Sequence, residues 1–231
     1  MTARLTRKWR VAAHRLRKLR AGEGTGAAGV AIMEFALVLP VLITLGFYGT
    51  EIAYMSTINM QISQMATSAA DNASRLGQTD NSAVSPTVTA AQVDSVMTGA
   101  LLQGAAFNFS SRGRIIISSL ERDVSTNREY IHWQRCRGSL ARNSYYGAQN
   151  YGLSGATLNG MGATNHVIHA PPIVSGAPTG AVMFVEVFYS YQPLFGNVFV
   201  RPTEFHREAA LLVRDDRNTG TIPGNGQSAC T

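Results

Sequence analysis

Lysine is almost missing from this chain. It occurs only at Lys8 and Lys18, and from residue 30 onward twelve arginines stand against thirteen acids. The body is therefore near neutral despite a formal charge of +6, which excludes a charge-driven nucleic-acid-binding surface on it. Cysteine is equally scarce: Cys136 and Cys230 are the whole complement. No Cys-x-x-Cys exists, which excludes a compact zinc knuckle. The two thiols either form a bridge that pins the C-terminus to the folded domain or stay separate. No Gly-x-Ser-x-Gly occurs, so the nucleophile elbow of a serine hydrolase is also missing.

What is present is concentrated at the N-terminus. Residues 1–20 carry eight Lys or Arg and no acid. An apolar run follows at residues 30–48, nineteen residues with one charge, Glu34. A helix of that length spans roughly 28 Å, close to a bilayer's hydrocarbon core. The basic block beside it reads as positive-inside topology, with the N-terminus cytoplasmic and the remainder periplasmic. An RNA-binding basic arm leaves the apolar run unexplained. A secretory signal peptide would have a shorter apolar core followed by small residues. Here Glu51, Tyr54 and Met55 follow instead, so no cut is expected after the run. Pro40 lies inside it and removes the backbone donor that would reach Ala36, which membrane helices tolerate. The stretch Gly24-Thr25-Gly26-Ala27-Ala28-Gly29 fits G-x-G-x-x-G, but no strand pattern precedes it, so it is not a dinucleotide fingerprint.

A glutamate inside a membrane helix costs on the order of a few kcal/mol at mid-bilayer and less near an edge, and marks function. The sequence around Glu34, Gly26-Ala-Ala-Gly-Val-Ala-Ile-Met-Glu-Phe-Ala-Leu-Val-Leu-Pro40, resembles the N-terminal signature of TadE-like proteins. These are minor pilins, or pseudopilins, of the tight-adherence (Tad/Flp) pilus system, and the resemblance covers about residues 22–55. It implies processing by a prepilin peptidase between Gly29 and Val30, with Glu34 as fifth mature residue and Phe35 as sixth. Glycine suits such a junction because the backbone can approach catalytic carboxylates without a side chain in the way. The new Val30 amine and a neighbour's Glu34 would then pair in an assembled fibre, offsetting a buried charge and setting axial register. The partners implied are the membrane, the peptidase, other pilins and Tad assembly proteins; nucleic acid is not among them. The major Flp pilin is much shorter than this chain, and TadG-like relatives carry a von Willebrand-type metal motif, Asp-x-Ser-x-Ser, which is absent here.

Past the apolar run, Ile52, Met55, Ile58, Ile62, Met65, Ala69 and Leu76 recur at helical spacing. The helix is expected to reach Leu76, with Gly77 as its cap and a loop over Thr79-Asp80-Asn81-Ser82. A second helix is expected from Thr89 to Gly104. Strands are expected at residues 114–120, at 129–135 with Ile131 and Trp133 on one face, at 181–191, and at 205–213 as the partner of the third. Residues 138–178, rich in Gly, Asn, Ser and Tyr, read as a long surface loop that is either functional or poorly ordered. The expected architecture is α+β: a long N-terminal helix, transmembrane then amphipathic, packed on one antiparallel sheet. The divisions are a basic leader at 1–29, a transmembrane helix at 30–50, its amphipathic continuation at 51–77, an extracytoplasmic domain at 78–217 and a flexible tail at 218–231.

No catalytic, cofactor or metal site is evident. His166-x-x-His169 has no acid nearby in sequence, and His132 and His206 fall on separate strands, so a set of converging metal ligands is not expected. Glu186, inside the most apolar strand, either faces solvent or pairs with an arginine such as Arg207; the solvent face is expected. Tyr145, Tyr146 and Tyr151 form either a contact surface or an ordinary loop. The resemblance points to a non-enzymatic minor pilin for surface adhesion. A bitopic envelope protein with a periplasmic ligand-binding or sensory domain is the alternative, and a tethered enzyme would require buried His and acidic residues in one cleft.

Overall fold

The computed structural model describes residues 25–77, 87–175, 180–213, 222 and 230, and of residues 25–28 the backbone alone. The leader up to residue 24, the loop at residues 79–82, Pro178, and the tail apart from Ile222 and Cys230 lie outside the described residues. The chain divides into two compact units, one ending at Thr50 and one beginning at Glu51. A single helix, α1 (Thr25–Ser74), contributes to both.

In the first unit α1 is apolar all round and every described side chain is exposed, from Val30 and Ile32 to Phe47 and Tyr48. Pro40 is accommodated within the helix. The hydroxyls of Thr44 and Thr50 donate to the carbonyls of Pro40 (2.7 Å) and Gly46 (2.9 Å). Both hydroxyls are thereby satisfied within their own helix, as an apolar solvent requires.

The second unit is α+β. The remainder of α1 buries Ile58, Ile62, Met65 and Ala69, the inner members of the apolar stripe, with Ala66, Ala70 and Ala73 beside them. Helix α2 (Ala90–Gln103) opens on a capping box. The Gln92 amide donates to Thr89 Oγ1 (3.3 Å), and the Thr89 amide donates to Gln92 Oε1 (2.8 Å). Gly104 ends the helix, where a Cβ would stand 2.3 Å from that of Phe109, so only glycine lets the chain turn there. After a 3₁₀ turn and the short helix α3 (Phe109–Arg112) come four strands: β1 (Gly113–Arg122), β2 (Glu129–Arg137), β3 (Val182–Tyr191) and β4 (Thr203–Leu212). They form one antiparallel sheet in the order β2-β1-β3-β4.

Both faces of this sheet are covered. Ile115, Ile117, Met183, Val185, Val187 and Tyr189 share a core with the inner stripe of α1 and with Val93 and Met97 of α2. On the opposite face Leu120, Ile131, Val182 and Phe184 meet Tyr146, Leu158, Met161 and Ala170. These last four belong to the Gly-rich stretch, so residues 138–175 are a packed covering layer rather than a surface loop. Two exchanges build the layer: Met161 with Ile168 (2.8 and 3.0 Å), and Ile131 with Asn150 and Tyr151 (2.6 and 3.0 Å). Its glycines serve tight turns. Gly160 has φ +78°, and a Cβ there would lie 2.2 Å from the His166 carbonyl oxygen. Cys136 and Cys230 are joined by a disulfide, with Cα atoms 4.9 Å apart.

One expected face does not hold. Ser119 opposes Trp133, but Leu120 opposes Ile131, a β-bulge that places one extra residue in β2. The slip reverses the side-chain alternation. Trp133 therefore packs toward the helices and Ile131 toward the covering layer.

Candidate functional site

Two places in the chain carry function-bearing features, one in each unit. In the first, Glu34 and Phe35 follow Gly29 and Val30 on the exposed apolar helix. Phe35 is 60% exposed, and nothing stands within 4 Å of a Cβ built on Gly29. Neither backbone strain nor crowding requires glycine at position 29. Within a helix glycine costs about 0.5–1 kcal/mol relative to alanine, so packing gives no reason for its presence. This helix is the one among the described residues that is long and apolar enough to cross a membrane.

The second place is the sheet face beneath the covering layer, where acids on the strands receive donors from the loop. Glu129 accepts from Gly160 N (3.0 Å) and Arg122 (2.6 Å), and lies 3.2 Å from His169 Nδ1. On the other, helix-facing side of β1, Glu121 accepts from Ser119 Oγ (2.6 Å) and lies 2.9 Å from His132 Nδ1. Glu208 accepts from Tyr146 Oη (2.6 Å) and Ala163 N (2.7 Å), and Glu186 accepts from Tyr145 N (3.0 Å). Burial, and then the Glu208 carboxylate, hold the Tyr146 proton well above the ordinary phenol range.

Glu186 thus does not face solvent. It is fully buried, and its ionisable neighbours are His206 and Glu208 rather than Arg207. The reason is register: Glu186 opposes Glu208 directly across β3 and β4, and His206 is two residues from Glu208 on the same face. His206 Nε2 lies 3.7 Å from Glu186 Oε1 and 3.5 Å from Glu208 Oε1. Its ring stacks on Phe188 (4.4 Å between centroids) and takes the edge of Tyr145 (4.6 Å). His206 and Glu208 also line a cavity of about 420 Å³ bounded by Ala163, Thr164 and Ile168. One ligand atom from each of Glu186, His206 and Glu208 lies within 4.8 Å of the other two, the kind of convergence the separate strands gave no sign of. A His-x-Glu pair on one strand facing a glutamate on the next is the only sequence trace of it, and reading that trace requires the pairing register. His166 lies apart, edge-on to Tyr146.

Comparison with known proteins bears on the first place. The family model of TadE-like proteins matches residues 29–75. The N-terminal segment is TadE-like. Its match opens at Gly29 and runs to the end of α1, which supports association with a Tad pilus and single-pass membrane attachment. Neither the curated proteins nor the solved structures give a match to the chain.

Proposed function

We propose that this chain is a minor pilin, or pseudopilin, of a Tad pilus, processed after Gly29 and working in pilus assembly for surface adhesion. The observation that carries the reading is the TadE-like match beginning at a helical glycine that the fold does not need, with an exposed glutamate five residues on. The leader stays in the cytoplasm, residues 30–50 span the inner membrane, and the α+β unit is periplasmic until the subunit enters a pilus. Its direct partners are the prepilin peptidase, other pilins and the Tad assembly proteins. Its role is non-catalytic; both Glu186 and Glu208 already hold the covering layer through Tyr145, Tyr146 and Ala163.

A pair of variants tests this. Gly29→Leu should block processing and leave the precursor in the membrane. Glu34→Ala should be processed normally but should lower piliation several-fold, because the neighbour's Val30 amine loses its counter-charge inside an apolar bundle. Processing of Gly29→Leu, or full piliation with Glu34→Ala, would contradict the reading. The cleft brings together acidic and His side chains, the arrangement a tethered enzyme would require, and it also favours one alternative, a bitopic envelope protein with a ligand-binding or sensory domain. That protein would keep its leader in cells whose prepilin peptidase is active.

A further inference from the structure

We propose that Glu186, His206 and Glu208 bind one divalent transition-metal ion of the zinc class. The site lies in the second unit and does not depend on processing at Gly29.

Three observations carry it. First, two buried polar atoms of this cluster have no hydrogen-bond partner among the described residues: Glu186 Oε2 and His206 Nε2. The Glu186 side chain is wholly inaccessible, so no bulk water serves that oxygen. Second, two acidic side chains are set against each other. Glu186 and Glu208 oppose each other across the strands, an arrangement of like charges that is unfavourable by itself. Two carboxylates and a neutral imidazole sum to −2, which one divalent cation neutralises. Third, the two spacings from His206 are close to those of a zinc site, and all three ligand atoms lie within 4.8 Å of one another. Ligands about 2.0–2.2 Å from a tetrahedral zinc stand about 3.3–3.6 Å apart, and the His206 Nε2 contacts are 3.5 and 3.7 Å.

The donor set selects the ion. Imidazole nitrogen with carboxylate oxygen suits zinc and its first-row neighbours, whereas calcium and magnesium prefer oxygen alone. The outer groups already orient the ligands, with Tyr146 Oη and Ala163 N on Glu208, Tyr145 N on Glu186, and the Phe188 and Tyr145 rings fixing the imidazole plane. The cavity beside His206 and Glu208 gives room for water in the remaining coordination position. The bound ion would tie β3, β4 and the covering layer at one point.

The test uses the full chain, purified in detergent with a histidine-free affinity tag, stripped with a chelator and then titrated with Zn²⁺. The expected result is one Zn²⁺ retained per chain through dialysis, with a higher melting temperature than the stripped protein. His206→Ala and Glu186→Gln should each weaken binding at least tenfold, and His169→Ala should leave it unchanged. If His206→Ala does not fold, the stripped wild-type protein is loaded with Co²⁺, and the visible d–d bands of a nitrogen–oxygen tetrahedral site are expected. Three results would overturn the proposal: no Zn²⁺ retained by the folded protein; equal binding by wild type and a folded His206→Ala; or Co²⁺ giving only the spectrum of the hydrated ion.

Discussion

Glu51 accepts hydrogen bonds from Tyr191 Oη and from the amides of Leu194 (3.2 Å) and Phe195 (3.1 Å), and it is fully buried. It joins α1 to the end of β3 and the turn that follows, within the second unit. Truncation would strand these donors, each costing about 1–3 kcal/mol when buried without a partner. Glu51→Ala is therefore expected to lose about 3 kcal/mol of stability, read as a lower denaturation midpoint of the detergent-purified protein; an unchanged midpoint would contradict the role. The sequence marks Glu51 only as the first charge after the apolar run. Its burial was illegible because its hydroxyl partner is 140 residues away. Glu186 was misread for a related reason. Period-two alternation tells which residues share a face, but not whether something covers that face, and here Tyr145 and Tyr146 do.

At the scale of elements, helix and strand positions were legible because each carries a local signal. Thr89 and Gln92 cap α2, Gly104 closes it, and runs of Ile, Val, Phe and Tyr mark the strands. The bulge at Ser119/Leu120 has no such signal, so the opposite facing of Ile131 and Trp133 emerges only from the pairing. The covering layer was opaque because its turns use glycine and its apolar residues, Tyr146, Leu158, Met161 and Ala170, follow no period. The strands also predict an alkaline response. Tyr130 on β2 holds its proton to about 12 instead of 10.0, first through burial and then through the Glu121 and Asp123 charges. Tyr189 and Tyr191 on β3 are raised as well, chiefly by burial. Between pH 10 and 12 the folded chain keeps protons that the unfolded chain releases. This contribution is fully present below pH 10.0 and is lost as pH rises through the folded value. The melting temperature should fall steadily above pH 10, in step with unfolding-linked tyrosinate absorbance at a wavelength that reports ionised phenol. A flat profile over that range would refute it.

For the molecule as a whole, the two units differ in solvent. The first exposes an apolar helix that only lipid or other helices would cover, since such a patch far exceeds what a water-soluble surface carries. The second has its own core on both faces of the sheet. The long apolar helix was legible from composition and spacing alone, and the TadE-like match falls on that segment. The acid–imidazole cleft of the second unit lies outside that segment, and it became visible only once β3 and β4 were set in register. On the proposed function the apolar helix begins life behind a basic leader and is released at Gly29. Intact-mass spectrometry of the protein from cells with an active prepilin peptidase tests this most directly. A mature chain starting at Val30 is the predicted result, and a chain still carrying residues 1–29 would contradict it.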